Sequence, residues 1–174
     1  MLAAAGKQAL RPGGYAATEQ LFSWANFQPG ETVLELAASF GYSAIALAQR
    51  YGVQVVGLEK NPDSVARARH NIAAAGLSDR IEIIEGDIFH LERVTQQFDY
   101  VLAEAILTMQ SDAAKANILA GIRDRLKPNG HFLSHELRAS GADLSRIYRD
   151  LSSTIRVNAK PLPAEDWLAA CHTA

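Results

Sequence analysis

The sequence predicts an α/β fold, a doubly wound and mostly parallel sheet with helices on both faces. Two observations support this prediction. Five short apolar segments typical of buried strands alternate with segments whose apolar residues recur at helical spacing. The first of these strands ends in an acidic residue and passes through small residues into a helix, TVLELAASFGYS (32–43). In open α/β sheets, ligands bind at such turns.

The strands are predicted near residues 32–37, 54–59, 81–86, 99–104 and 131–136. The second, QVVGLE, is mostly apolar, as expected of a strand buried on both faces. A chain of 174 residues that is 48% hydrophobic can bury one sizeable core. We therefore expect a single domain.

The helix after the second strand has clear end signals. Asn61 is a candidate N-cap, Pro62 suits the first turn, and Gly76 can end the helix. Its apolar stripe is Val65, Ala68, Ile72 and Ala75.

Four further helices are predicted, with fewer signals at their ends. One is predicted over 111–127, with Ser111 as a cap, before a turn at 128–130. An earlier helix is predicted over 18–25, and two others lie around 144–151 and 167–171.

Composition and charge exclude several classes of function. The net charge of −2 provides no basic surface for a nucleic-acid backbone. Cys171 is the only cysteine, so an intrachain disulfide is excluded and a cytoplasmic location is expected. Lys7 follows the short apolar start instead of preceding it, which does not fit a signal peptide. No apolar run is long enough to suggest a membrane span.

The first turn favours a cationic ligand. A dinucleotide site uses G-x-G-x-x-G to hold a pyrophosphate, but this turn has only Gly41, and Glu35 would repel that group. A nicotinamide cofactor is therefore disfavoured. S-adenosylmethionine fits better, because carboxylates stabilise its sulfonium and ammonium groups.

The ordered motifs resemble class I, seven-strand S-adenosylmethionine-dependent methyltransferases, in the small-molecule branch related to quinone and sterol methyltransferases. The resemblance covers about residues 11–137. It rests on RPGG followed by Thr18, then VLELAASFGYSAIALA, VVGLEKNPDSVARARHNIAAAGL, IEIIEGDIF, FDYVLAEAIL and LKPNGHFLSHEL. It implies an arm and helix (1–30), a cofactor-binding core (31–137) and a C-terminal helical segment (138–174).

The resemblance implies roles at matching positions. Glu59 would accept both ribose hydroxyls, and it follows Gly41 by 18 residues (59 − 41), near the usual spacing of a ribose acid. Asp87 would accept from the adenine amino group, and Glu104 would lie near the reacting methyl. The full implied cofactor set is Glu35, Ala37, Gly41, Tyr42, Glu59, Lys60, Asn61, Gly86, Asp87, Ile88 and Glu104. The arm residues placed over the site, as a lid or substrate contact, are Arg11, Gly13, Gly14 and Thr18.

Several of these residues also have purely structural interpretations. Asn61 and Asp87 suit helix caps or turns, and Thr18 could cap the helix that follows it. Glu35 could bond only to loop amides. Glu59 and Glu104 could be strand-end charges.

The sequence indicates less about the reaction than about cofactor binding. No general base is identified, although Glu104 and His135 are placed where candidates could be. Glu104, His135 and Glu136 could in principle gather as metal ligands, but three scattered residues are common by chance, and we expect no metal.

The sequence departs from the family pattern in two places. Ala37 and Ser39 replace two glycines of the usual first loop. The family's antiparallel strand pair after the fifth strand has no counterpart, so that C-terminal pair is apparently missing. A fifth strand at the sheet edge favours pairing with another chain, and we expect a homodimer or another covering of that edge.

The predicted function is methyl transfer from S-adenosylmethionine to a small molecule, with S-adenosylhomocysteine as product. The signature of amino-directed methyltransferases is absent after the fourth strand, where AEAI (103–106) stands. The alternative is a non-catalytic domain that binds the cofactor or keeps the fold as an interaction module.

Overall fold

A computed structural model describes residues 11–141, 143–155 and 159–174, with the side chains of 144, 147, 152 and 155 left aside. The start of the chain, on which the signal-peptide argument rests, lies outside these residues. Five strands form one parallel sheet in the order β3-β2-β1-β4-β5. They are β1 (Thr32–Leu36), β2 (Gln54–Glu59), β3 (Ile81–Glu85), β4 (Phe98–Glu104) and β5 (Leu126–His135). The predicted fold class and all five strands are confirmed.

In the described residues, one α-helix precedes the sheet and five connect or follow its strands: α1 (Gly14–Ala25), α2 (Tyr42–Tyr51), α3 (Pro62–Ala74), α4 (Asp112–Arg125), α5 (Leu144–Ile155) and α6 (Ala164–Thr173). Short 3₁₀ segments occupy Ile88–Arg93 and Leu107–Met109. In the part of the chain that is described, none of the helices combines the length and the apolar character needed to span a bilayer.

The predicted caps of α3 and α4 are confirmed. The Asn61 side chain accepts a hydrogen bond from the Ser64 amide (3.0 Å), and Ser111 accepts one from the Ala114 amide (3.3 Å). Gly76 adopts φ +69° just past the end of α3, the left-handed conformation typical of a helix C-terminus.

The first helix differs from the prediction. It begins at Gly14, with Gly13 as its N-cap at φ +76°, so Thr18 lies in the second turn and is not a cap. Gly13 and Gly14 both adopt the left-handed backbone that starts the helix early. The Thr18 side chain is buried and points toward the end of β4, where Glu104 accepts its hydroxyl hydrogen bond.

The fifth strand begins earlier than predicted. Leu126 pairs with Phe98, and pairing resumes at His131 opposite Tyr100. The predicted turn at 128–130 is therefore an irregularity within β5, with Asn129 at φ +66°. The helix α4 accordingly ends at Arg125, two residues earlier than expected.

Alternation along the strands brings three carboxylates to one side of the sheet. Val33, Val55 and Tyr100 pack into the core on the face covered by α1, α2 and α3. Side chains two residues apart on a strand share a face, so Glu35 lies on the same face as Val33, and Glu59 on the same face as Val55. Glu104 likewise shares the face of Leu102 and Tyr100. Because parallel strands end at the same sheet edge, these three acids approach one site.

Candidate functional site

A small cavity lies at the carboxyl ends of β1 and β4. Its volume is about 170 Å³, and it is lined by Arg11, Glu35, Leu36, Ala37, Ala38, Ser39, Phe40, Tyr42, Ser43, Glu104 and Ile106. Pockets for whole small-molecule ligands usually measure roughly 300 Å³ or more. The cavity therefore suits one end of such a ligand, with the remainder on the adjoining surface.

Glu104 is the centre of the polar contacts in this cavity. Its side chain is 7% exposed, and its Oε2 lies 2.7 Å from Arg11 Nε. The Thr18 hydroxyl donates to Oε2 (2.6 Å), and the Ser43 hydroxyl donates to Oε1 (3.1 Å). Arg11 also donates to the hydroxyls of Thr18 and Ser43. One carboxylate thus joins β4 to α1, α2 and the N-terminal arm.

These contacts determine the charge of Glu104. Burial alone would raise the pKa of its carboxyl, but the interactions with His135 and Thr18, helped by the nearby guanidinium, outweigh burial and lower it. In return, Glu104 raises the pKa of the His135 ring against the opposing effect of burial. The site therefore holds Glu104 ionised.

His135 holds the N-terminal arm from the β5 side of the cavity. It is the register partner of Glu104 on β5, and its Nδ1 lies 3.6 Å from Glu104 Oε2. Its Nε2 lies 2.8 Å from the carbonyl oxygen of Pro12 and donates to it when protonated. The arm is thereby held across the ends of β4 and β5, with Arg11 pointing into the cavity.

Glu35 is the second carboxylate in the cavity. It is 6% exposed, and among the described residues its Oε2 is buried without a hydrogen-bond partner. Burial, and then the charge of Glu104, raise the pKa of Glu35 to about 8. Two neighbouring carboxyls thus differ in protonation at neutral pH, one ionised and one largely neutral.

The first loop is strained where glycines are replaced. Ala37 adopts φ +55° and Ser39 adopts φ +51°, the left-handed region that costs a residue with a Cβ roughly 1–2 kcal/mol. Gly41 caps α2 at φ +76°, and its amide donates to the Ala38 carbonyl (2.9 Å). Tyr42 begins the helix and packs edge-on against Phe40. The loop keeps its shape without the usual glycines.

Glu59 accepts hydrogen bonds from two backbone amides, one in the first loop and one just after β2. Its Oε2 accepts from the Ser39 amide and its Oε1 from the Asn61 amide, each at 2.8 Å. Each carboxylate oxygen retains a further lone pair. The structure therefore brings Glu59 and Asn61 to the first loop, while contact with a ribose stays a prediction.

Asp87 is also held by a hydrogen bond and an ion pair within the protein. It accepts from the Phe89 amide (3.1 Å) as the N-cap of the 3₁₀ segment, and its Oδ2 lies 2.7 Å from Lys60 Nζ. The hydrogen bond from Lys60 lowers the pKa of Asp87. The Gly86 amide donates to the Glu59 carbonyl (2.9 Å), and Ile88 packs against the apolar core on the opposite face of the sheet from α1, α2 and α3. Lys60 and Asp87 thus form one pair beside Glu59.

His135 and Glu136 do not share a site. They are adjacent on an extended segment, so their side chains point to opposite sides. Glu136 accepts from the amides of Leu107 (3.1 Å) and Thr108 (2.8 Å) and holds the loop after β4. Within the described residues, no group of three or more His, Cys, Asp or Glu side chains is arranged to hold a metal ion.

Two features of the site were missed from the sequence. Ser43, which bonds both Arg11 and Glu104, was not nominated, and neither was the ion pair between those two residues. A hydroxyl in the first turn of a helix after a ligand-binding loop was the available signal for Ser43. The pair joins residues 93 positions apart (104 − 11), and no local pattern indicates it.

Replacing the strained loop residues should stabilise the protein. We expect Ala37→Gly and Ser39→Gly each to raise the free energy of unfolding by about 0.5–1 kcal/mol, since relief of the left-handed strain exceeds the extra entropy of glycine in the unfolded chain. Chemical denaturation measures the change. Ala46→Gly, within α2, is the matched control and should destabilise by about 1 kcal/mol. Destabilisation by all three changes would contradict the assigned strain.

Comparison with known proteins gives the same fold and a family. Residues 27–170 match the family described as "Methyltransferase domain". An uncharacterized protein of Haemophilus influenzae is 36% identical over 95% of this chain and 66% of its own length. The sterol 24-C-methyltransferase of Pneumocystis carinii is 30% identical over 64% of this chain and 29% of its own. The chain thus spans slightly less than two thirds of the first relative and under a third of the second.

A solved structure shares the architecture. The glycopeptide N-methyltransferase MtfA, crystallised with S-adenosyl-L-methionine, superposes with a TM-score of 0.59 at 25% identity, covering 67% of this chain and 52% of that one. The resemblance stated from the motifs is confirmed, including its relation to sterol methyltransferases. The parallel sheet, the acidic strand ends and the family match agree, and the chain belongs to the methyltransferase domain family.

Proposed function

We propose that the chain binds S-adenosylmethionine at the carboxyl ends of its strands and transfers the methyl group to a small-molecule acceptor. The observation that supports this most is that Glu35 and Glu104 line the cavity at the strand ends, while Glu59, on the same face of the sheet, bonds to the loop beside it. A carboxylate-rich site suits a cationic ligand. The family match supports the same cofactor, as does the neighbour crystallised with it.

The adenosine end would lie outside the cavity, along the ends of β2 and β3. Glu59 is placed between the first loop and Asn61, where its free lone pairs could accept from ribose hydroxyls. Asp87 would accept from the adenine amino group, with Ile88 against the ring. Lys60 pairs with Asp87 in this conformation, so it would have to move or share that carboxylate.

The methionine end would occupy the cavity itself. Ala37 and Tyr42 line the cavity and Gly41 adjoins it, and Glu104 supplies negative charge for the sulfonium and ammonium groups. Glu35 would add to that charge once its carboxyl has lost its proton. Arg11 offers a guanidinium to a carboxylate. We propose that the arm, from Arg11 through the hinge Gly13–Gly14 to Thr18, closes over this end.

The cofactor supplies a methyl group already activated on a positively charged sulfur. The chain's own contribution is to hold acceptor and cofactor in line and to exclude water. Glu104 and His135 are both engaged, the first by three donors and the second by Pro12 and Glu104. Neither is a ready proton acceptor in this conformation, and the general base stays unassigned.

A non-catalytic cofactor-binding domain is the second candidate. It is favoured by one observation, the small cavity into which the arm already places Arg11. Such a domain would bind the demethylated product as well as the cofactor and would form no methylated product with any acceptor. Binding followed by an acceptor panel separates the two functions.

Glu59 provides the sharpest test of the site. We expect the chain to bind S-adenosylhomocysteine with micromolar affinity by calorimetry. Glu59→Ala should weaken this binding tenfold or more, about 1.4 kcal/mol, because it removes the ribose acceptor and the support of the Ser39 amide. Glu82→Gln, an exposed carboxylate near the start of β3, is the control and should bind like the wild type. Binding of NADH in place of S-adenosylhomocysteine would overturn the proposal.

The homodimer expected from the sheet edge also stays a prediction. In the described sheet, β5 has one neighbour, β4, and an apolar groove of about 610 Å³ beside it exposes Leu168 (63%) and Trp24 (69%). We propose that a second copy covers this edge. Sedimentation equilibrium should show a dimer that Leu168→Glu weakens. A monomeric mass at high concentration for the wild type would argue against it.

A further inference from the structure

Glu35 has a buried oxygen that the described residues of the site leave unpaired, whereas both oxygens of the neighbouring Glu104 accept hydrogen bonds. Its carboxyl is buried, lines the cavity and, among the described residues, has an oxygen without a hydrogen-bond partner. An unpaired buried polar atom costs free energy, so its presence beside a ligand cavity calls for a ligand-dependent explanation. The atom is well placed to meet a group that enters with the ligand.

The surroundings of Glu35 explain why its Oε2 lacks a partner in the described part of the chain. It faces Glu104 from β4 and Arg11 from the arm, while the Ser43 hydroxyl and the Ala44 amide approach from the first turn of α2. On β2 its register partner is Gly57, which has no side chain. Arg11 and Ser43 both bond to Glu104. One guanidinium therefore serves two carboxyls.

The charge balance of this cluster is uneven. If both carboxyls were ionised while the His135 ring was neutral, the buried group would carry one negative charge more than Arg11 can compensate, which is unfavourable in a low-dielectric site. Glu104 has the better donors and keeps its charge. Burial raises the pKa of Glu35 to about 8, so the free protein holds a proton there at neutral pH.

We propose that Glu35 is a proton switch set by the charge of the ligand: its carboxyl holds a proton in the free protein and releases it when a cationic ligand fills the cavity. The switch rests on the proposed function, because S-adenosylmethionine brings a sulfonium charge that S-adenosylhomocysteine lacks. The positive sulfur restores the charge balance that a second ionised carboxylate requires.

The switch distinguishes the cofactor from its product. When the methyl group leaves, the sulfur keeps the electron pair of the broken bond and becomes a neutral thioether. Glu35 then regains a proton from solvent, and the product loses a favourable charge interaction. The affinity for S-adenosylmethionine relative to S-adenosylhomocysteine should therefore rise with pH, approaching tenfold per pH unit below about pH 8.

Calorimetry in buffers of different ionisation enthalpy counts the protons. At pH 7 we expect S-adenosylmethionine to release up to about one proton more than S-adenosylhomocysteine. Glu35→Gln, which mimics the protonated carboxyl, should abolish this difference. Any release from His135 would persist in that variant. Glu82→Gln, an exposed carboxylate on β3, is the matched control and should keep the difference.

A second measurement needs no ligand. A carboxyl whose pKa is raised on folding contributes stability at low pH that is lost as pH rises from about 4.5 to about 8. The melting temperature of Glu35→Gln should therefore rise relative to that of the wild type across this range. Parallel curves would overturn the switch.

The two proposals fail in different ways. Binding of both ligands with equal proton release would overturn the switch and leave the proposed function standing. Absence of binding by either ligand would overturn the proposed function, and the switch with it.

Discussion

The site depends on one constraint, a carboxylate that must stay ionised while buried at the end of β4. Glu104 meets this constraint through three donors, Arg11 of the arm, Thr18 of α1 and Ser43 of α2, and through the nearby ring of His135 on β5. Removing one partner of such a buried pair typically costs several kcal/mol, because the other charge remains unpaired. The same requirement therefore orients the arm, the first helix and the cavity wall.

The position of the three acids follows from the pleat of the sheet. Glu35, Glu59 and Glu104 alternate in step with buried residues of one face, so strand periodicity together with parallel order places them together. Once the strands are assigned, the sequence alone could have predicted this, and could have separated His135 from Glu136. It also indicated the caps Asn61 and Ser111, because capping depends on neighbouring residues.

The features that the sequence did not reveal depend on contacts between residues that are far apart in the chain. Thr18 looked like a helix cap, yet two glycines in left-handed conformation begin α1 earlier and carry Thr18 to Glu104. The pair of Arg11 and Glu104 arises only when the arm crosses the ends of β4 and β5. The protonation of Glu35 depends on how many donors remain after Glu104 has been satisfied. Each of these is a property of the assembled site, and no local pattern contains it.

The claim that Glu104 stays ionised while buried, through its pair with Arg11, can be tested with a double-mutant cycle. The free energy of unfolding at neutral pH would be measured for the wild type, Arg11→Leu, Glu104→Gln and the double variant. We expect the two substitutions to be non-additive, with a coupling of about 1 kcal/mol or more, because each single variant leaves the other group buried without its partner. Additive effects of the two substitutions would contradict the claim.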